Sequence, residues 1–327
     1  MRGETRILRR LVVALATMAL AGAIEAGAQP YPNKVIRVIN PNAPGGNSDI
    51  VFRLLAPKMS EILGQQLVLD YRPGAGGNIG AEMTARSAPD GYTVAITAAS
   101  FLINPSLIRK LPYDTVKDFT PLGLVVEIPA ALVTHPSLPV RSVKELIALA
   151  RKHPGDIFYS SSGPGTVAHL SGELLNALTG IKLTHVPYKG AGPSVIDLIA
   201  GHVQLSFVSI PAVIAHVHGG KLRMLAQCGE TRSSSAPDTP TMQEAGVPGF
   251  VVSSGFNFIG PAGLPRPIVE RLNSALVQAL NDPPIRKALI ERGADPVGST
   301  PEQHAVYIKS EIEKWRKVAS DAGIRPE

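Results

Sequence analysis

Val35-Ile36-Arg37-Val38-Ile39-Asn40-Pro41-Asn42-Ala43-Pro44-Gly45-Gly46-Asn47-Ser48-Asp49 is a β-rich run that passes through a glycine-rich turn into a helical pattern over 50–63, ended by Gly64. The order then repeats. A run over 66–70 leads through Arg72-Pro73-Gly74-Ala75-Gly76-Gly77-Asn78-Ile79-Gly80 into a helical pattern over 78–87, closed by Pro89. A run over 157–160 leads through Ser160-Ser161-Ser162-Gly163-Pro164-Gly165-Thr166 into another helix. Further β-rich runs occupy 92–97, 122–126, 130–134, 183–186, 203–208 and 222–227. Ser142 to Glu145 reads as a capping box for a helix stopped by Pro154-Gly155. Alternation of this kind predicts an α/β fold of two units, each a mostly parallel sheet flanked by helices.

From Pro267 the pattern is helical only, over 267–281, 284–292 and 301–321. Three helices without strands of their own must cover an earlier sheet, so the chain returns to its first unit near 250–260. It therefore crosses between units twice, at 127–130 and 250–256. Paired crossings make a two-strand hinge, with a ligand cleft at the carboxyl ends of the strands. The expected division is 29–129 with 253–327 in lobe 1 and 130–252 in lobe 2.

Residues 1–28 read as an export signal. Arg2, Arg6, Arg9 and Arg10 precede an apolar stretch over 11–24, and Ala26-Gly27-Ala28 supplies the small residues of a cleavage site. The apolar stretch is shorter than the ~20 residues that span a bilayer. Removing four arginines and two glutamates takes the formal charge from +6 to +4. That is a mild balance without basic runs, which argues against a nucleic-acid partner. The single cysteine, Cys228, cannot form an internal disulfide and is expected to be buried on its apolar strand.

The turns carry the chemistry. The first N–H groups of a helix have no internal partner and sit at the positive end of its dipole, so several helix starts around one space make an anion cradle without lysine or arginine. A tight turn with a cap accounts for the same residues. In the first turn Ser48 or Asp49 is the expected cap, and the Asp49 charge would repel a carboxylate but suit an ammonium. The second turn resembles a dinucleotide fingerprint, but Asp90 precedes the next strand instead of ending it. In the third, Thr166 caps the helix, and His169 is either a neutral donor to a carboxylate or the i,i+4 partner of Glu173. In the fourth, Tyr188-Lys189-Gly190-Ala191-Gly192-Pro193, Pro193 is the expected first helical residue. No Gly-x-Ser-x-Gly elbow and no metal-ligand clustering of histidines is present. The sequence thus calls for no catalytic residue, metal or cofactor.

These motifs resemble those of the Bug-type extracytoplasmic solute receptors of tripartite tricarboxylate transporters. The resemblance runs from Tyr31-Pro32-Asn33-Lys34 through the first two turns, Asp90-Gly91-Tyr92-Thr93, Leu111-Pro112-Tyr113-Asp114 and Asp118-Phe119-Thr120-Pro121. It continues through Gly165-Thr166, His169-Leu170, Val186-Pro187-Tyr188-Lys189-Gly190, Asp197-Leu198, Gly201 and Pro261-Ala262-Gly263-Leu264-Pro265. It implies a two-lobed periplasmic binding protein, a monomer that closes on a small carboxylate and makes transient contact with membrane transporter subunits. The ligand would be a dicarboxylate, tricarboxylate, amino acid or aromatic acid. The ligand contacts it implies are Asn42, Ala43, Gly45, Gly46 and Asp49; Gly76, Gly77 and Asn78; Ala99 and Ser100; Ser161, Gly165, Thr166 and His169; and Gly190 and Ala191. Where family members commonly have an aromatic this chain has Asn42, and where they have a tryptophan and a glycine it has Gly255 and Asn257. Two alternatives share the scaffold: a sensor that presents its closed form to a membrane signalling protein, and an exported α/β enzyme.

Overall fold

In a computed structural model, which describes residues 31–42, 44–324 and 326, the first β-rich runs become parallel strands. β1 (Ile36–Asn40) lies between β2 (Leu67–Tyr71) and β3 (Thr93–Thr97). Each is followed by a helix: α1 (Asn47–Leu63), α2 (Asn78–Ala85) and α3 (Ser100–Leu107). The sequence reading has no helix at α3, because Pro105 inside it breaks the pattern. Lys34–Glu327 is one compact unit. The export signal expected over 1–28 lies outside the described residues.

β4 (Phe119–Thr134) is a single strand of 16 residues where the sequence reads two runs. It pairs antiparallel with β9 (Ser253–Pro261) as far as Pro129↔Ser253. From Ala130 onward it pairs with β7 (Leu205–Ser209), and from Ala131 with β8 (Arg223–Gln227). Pro129 therefore sits where β4 changes partners, and a missing N–H there interrupts the sequence pattern without ending the strand.

Beyond β7 lie β5 (Phe158–Ser161) and β6 (Thr184–Pro187), again parallel. The strand order is β2-β1-β3-β9-β4-β7-β5-β6, with β8 and the short β10 (Asp295–Pro296) also paired to β4. The fold is thus α/β, with parallel outer strands and antiparallel pairs where the long β4 and β9 take part. Helices α4 (Val143–Lys152), α5 (Val167–Thr179), α6 (Ala191–Ala200) and α7 (Ile210–His218) accompany the second group of strands. Cys228 is fully buried beside them.

The last helices are α8 (Arg266–Asn281), α9 (Pro283–Glu291) and α10 (Pro301–Asp321). α8 packs on α1 and β4, and α10 on α3 and β4. At roughly 30 Å, α10 outruns the first sheet and also reaches α5. Trp315 and Val318 near its end are buried in one core cluster with Tyr159 and Leu170 of the second group. The C-terminal segment, expected to cover the first sheet alone, touches both.

Thr300 opens α10 with a complete capping box, since its hydroxyl accepts the Gln303 N–H and the Gln303 side chain accepts the Thr300 N–H. Thr300→Ala is expected to cost about 1 kcal/mol in denaturant unfolding. The box expected at Ser142 is only half formed. Ser142 Oγ accepts the Glu145 N–H, but the Glu145 carboxylate accepts the Arg141 N–H instead of that of Ser142.

Candidate functional site

A cleft of about 570 Å³ opens where the two groups of strands meet at β4, a size within the ~300–1,000 Å³ of ordinary ligand pockets. Ile128 and Ala130 of β4 and Ser254 of β9 form its floor. Their sequence neighbours Glu127, Pro129 and Ser253 line a separate cavity of about 390 Å³. Side chains alternate along a strand, so the β4/β9 ribbon has open space on both faces. Burial raises the Glu127 pKa, although its carboxylate accepts a hydrogen bond from Ser253 Oγ at 2.7 Å.

The walls are helix starts. Asn47 is the first residue of α1, Ala99 and Ser100 begin α3, Thr166 and Val167 begin α5, Ala191 begins α6, and Ser209 caps α7. Among the described residues no Asp, Glu, Lys, Arg or His lines the cleft. Ser162 also lines it, Ser194 and Ser206 give their hydroxyl protons to Ser160 behind the wall, and Ile103, Leu107, Phe207 and Val208 supply apolar surface. Such a site can hold an anion through dipoles and N–H groups alone.

Of the residues expected from sequence, Gly76, Ala99, Ser100, Gly165, Thr166 and Ala191 come together here. Thr166 caps α5 as expected, accepting the His169 N–H while donating to Gly163 O. Gly165, at φ +72, brings its Cα against Leu107, so an added Cβ would meet the Leu107 side chain at 2.6 Å.

The first turn is used differently. Ala43 lies outside the described residues. Neither Ser48 nor Asp49 caps α1; Gly46 is the N-cap, without a side-chain bond. Asp49 instead reaches back to the Gly45 N–H at 2.8 Å and also accepts from Arg53 and Tyr71 at 2.7 and 2.6 Å. Burial pushes its pKa up, but the hydrogen bonds from Tyr71, Gly45 and Arg53 outweigh it and hold the carboxyl below its ordinary value. Asn42 bonds to Ser48 and Asn40.

Asn78 begins α2, but its side chain points inward, where its oxygen accepts from Asn104 at 2.8 Å and Tyr113 at 2.6 Å. With Gly77 it lines a crevice beside the cleft that is too narrow to hold a water.

His169 stands behind the α5 turn, not in the cleft. Its Nδ1 accepts the Gly165 N–H at 3.0 Å, its Nε2 lies 4.0 Å from Glu173, and its ring stacks on His185 at 4.0 Å. The Glu173 carboxylate is held by Tyr159 Oη at 2.6 Å rather than by His169. Burial lowers the pKa of His169, and burial together with His169 lowers that of His185 to about 4. Ser161 is buried as well, 2.6 Å from His185 Nε2 and bonded to Gly163. Gly190 is the N-cap of α6, two residues earlier than a start at Pro193 requires.

The resemblance supplied Ala99 and Ser100 without a helix following them, and the reading missed the α7 start. α3 gave no usable signal, but Ser209-Ile210-Pro211 with Gly219 after His218 carries the cap, first-turn proline and glycine stop of a helix.

The sequence profile of a family described as "Tripartite tricarboxylate transporter family receptor" matches residues 51–324. BugT of Bordetella pertussis is 37% identical over 323 residues, covering 98% of both chains. Among solved structures, R. palustris Rpa4515 with adipate is 38% identical with a TM-score of 0.75, covering 91% of this chain and 100% of that one. MatC from Rhodopseudomonas palustris, with bound malate, is 33% identical with a TM-score of 0.69, covering 88% and 99%.

Proposed function

The chain belongs to the tripartite tricarboxylate transporter receptor family, and from that premise we propose that it is a periplasmic solute-binding receptor. It takes a small carboxylate into the cleft at β4 and delivers it to the membrane subunits of such a transporter, without catalysing a reaction on it. The observation that carries this reading is the cleft wall: five helix starts and no charged side chain among the described residues. Adipate in Rpa4515 and malate in MatC are ligands of the chemistry such a wall accepts.

Residues 29–129 with 253–327 form one lobe and 130–252 the other, joined by the β4/β9 ribbon. Closure bends that ribbon, which has space on both faces. A ligand drives closure only through contacts that differ between the open and closed states. Gly76, Ala99 and Ser100 bind from one side, and Gly165, Thr166 and Ala191 from the other.

The test is thermal unfolding of the protein after ligand is removed by unfolding and refolding, against mono-, di- and tricarboxylates. A carboxylate at a hundred times its Kd adds ~2.7 kcal/mol, which raises the Tm of a chain this size by roughly 5–10 °C. Absence of a shift with any carboxylate, in protein whose circular dichroism is native, overturns the reading.

A further inference from the structure

We propose that Gly293 and Pro211 form a stop beside the hinge that sets the resting angle between the two lobes and, through that angle, the affinity of the cleft. The inference rests on the closing-receptor reading above, but neither residue touches the ligand space.

The pairing of β4 brings the two together. Residues of β4 that pair with β7 pair also with β8, and those that pair with β10 pair also with β9, so each strand pair flanks β4 on opposite edges. Cys228 at the end of β8 accepts the Val252 N–H just before β9, which puts β8 and β9 in line on one edge and β7 and β10 on the other. On that second edge β7 ends at Ser209↔Ala130 and β10 begins at Asp295↔Glu127, with Ile128 and Pro129 of β4 between them. Pro211, the second residue of α7, leaves from one end of this gap, and Gly293, in the turn between α9 and β10, arrives at the other.

They meet closely. A Cβ built on Gly293 would lie 1.8 Å from Pro211 Cγ, 2.9 Å from its Cδ and 3.1 Å from its Cβ. A proline ring is fixed to its own backbone and cannot swing aside, so a side chain at position 293 must push the two segments apart.

The side on which they meet gives the push its direction. Ser209 and Ala212 of the α7 start line the cleft, whereas Pro211 meets Gly293 instead. Ile290 and Asp295, on either side of Gly293, line the cavity of about 390 Å³ on the other face of the ribbon. There Ser234 Oγ of the second lobe also meets Asp295 Oδ1 at 3.4 Å. Lobes that turn about a ribbon part on one face as they close on the other. Separation at the Gly293–Pro211 contact therefore favours closure of the cleft.

Apparent affinity scales with the population of the closed form, so a closed form held at ~0.1–10% leaves room for a roughly 10- to 1,000-fold gain. Small-angle X-ray scattering without ligand, and isothermal titration with adipate and with malate, test this in the parent protein, Gly293→Asn, Pro211→Ala and the double variant. Asparagine is chosen because it tolerates the φ of +68 at this position better than most residues. Gly293→Asn is expected to show a smaller radius of gyration and at least about tenfold tighter binding, although strain lowers the Tm of its ligand-free form. Damage to the fold alone would weaken binding together with stability. Pro211→Ala, which removes the ring and adds no strain, should bind more weakly than the parent, and the double variant should lose the gain of Gly293→Asn. An unchanged or larger radius of gyration in Gly293→Asn, or a gain that survives Pro211→Ala, overturns the inference. Failure of both acids to bind any of the four proteins counts against the receptor reading, whereas the scattering, which needs no ligand, still decides whether the stop sets the lobe angle.

Discussion

Replacing His304 by alanine is expected to lower the free energy of unfolding by about 4 kcal/mol. His304, at the start of α10, is fully buried. Its Nδ1 accepts the Gly123 N–H at 3.1 Å, so Nε2 carries the proton and donates to Asn257 Oδ1 at 3.0 Å. One ring thus ties the C-terminal helix to both β4 and β9. Alanine leaves a buried N–H and a buried amide oxygen unpaired, about 1–3 kcal/mol each, and the cavity adds to that cost. Guanidinium unfolding should show a lower midpoint at unchanged slope. His304→Asn, which restores an acceptor of similar reach, should recover part of the loss. A cost below about 1 kcal/mol for alanine would show that the two bonds contribute little.

The same residue makes a prediction about acid. Burial lowers the pKa of His304 to about 3, against about 6.5 in the unfolded chain. Between those values the unfolded state binds a proton and the folded state does not. The contribution of the neutral ring is therefore complete above about pH 6.5 and is lost progressively as pH falls toward 3. His185, lowered to about 4, acts in the same direction over a narrower window. In His304→Asn the stability curve between pH 6.5 and 3 should be flatter than in the parent protein.

The strand–turn–helix order is legible because it is written locally. Residues such as Thr166, a hydroxyl between a glycine and an apolar helical run, announce their own geometry. The restart of the pattern after residue 130 and the helix-only pattern from Pro267 onward likewise point to two groups of strands joined twice. Legibility fails where a residue's role is set by a distant partner. Asp49 has the residue type and position of a cap, but Tyr71 and Arg53 draw its carboxylate elsewhere. Asn78 opens its helix as expected, yet Asn104 and Tyr113 turn its side chain inward. His304 shows nothing in sequence beyond a place in an amphipathic helix, because Gly123 and Asn257 lie far off in the chain. Prolines mislead in the other direction: Pro105 hides α3, and Pro129 divides β4. Three of the five helix starts on the cleft, those of α1, α5 and α6, are legible as glycine-rich turns, those of α3 and α7 are not, and which residues of each turn face the cleft depends on packing behind it.

Ala191→Asp separates binding from folding more cleanly than any truncation in these turns. Ala191 is exposed and is the first residue of α6, where it faces the cleft. An aspartate there completes the helix dipole and is expected to stabilise the ligand-free protein by about 0.3–1 kcal/mol. It also sets a fixed negative charge where a ligand carboxylate would lie. Two like charges about 4 Å apart repel by roughly 4 kcal/mol at an effective dielectric of ~20, so affinity for glutarate or adipate should fall at least about 100-fold. Ala191→Asn, of nearly the same shape but neutral, should lose at most a few-fold. The two substitutions thus differ in charge and hardly in volume. A drop shared equally by both would point to steric blocking of the α6 turn. Unchanged affinity in Ala191→Asp would remove α6 from the anion cradle and leave the opposing starts of α3 and α5 to hold the ligand.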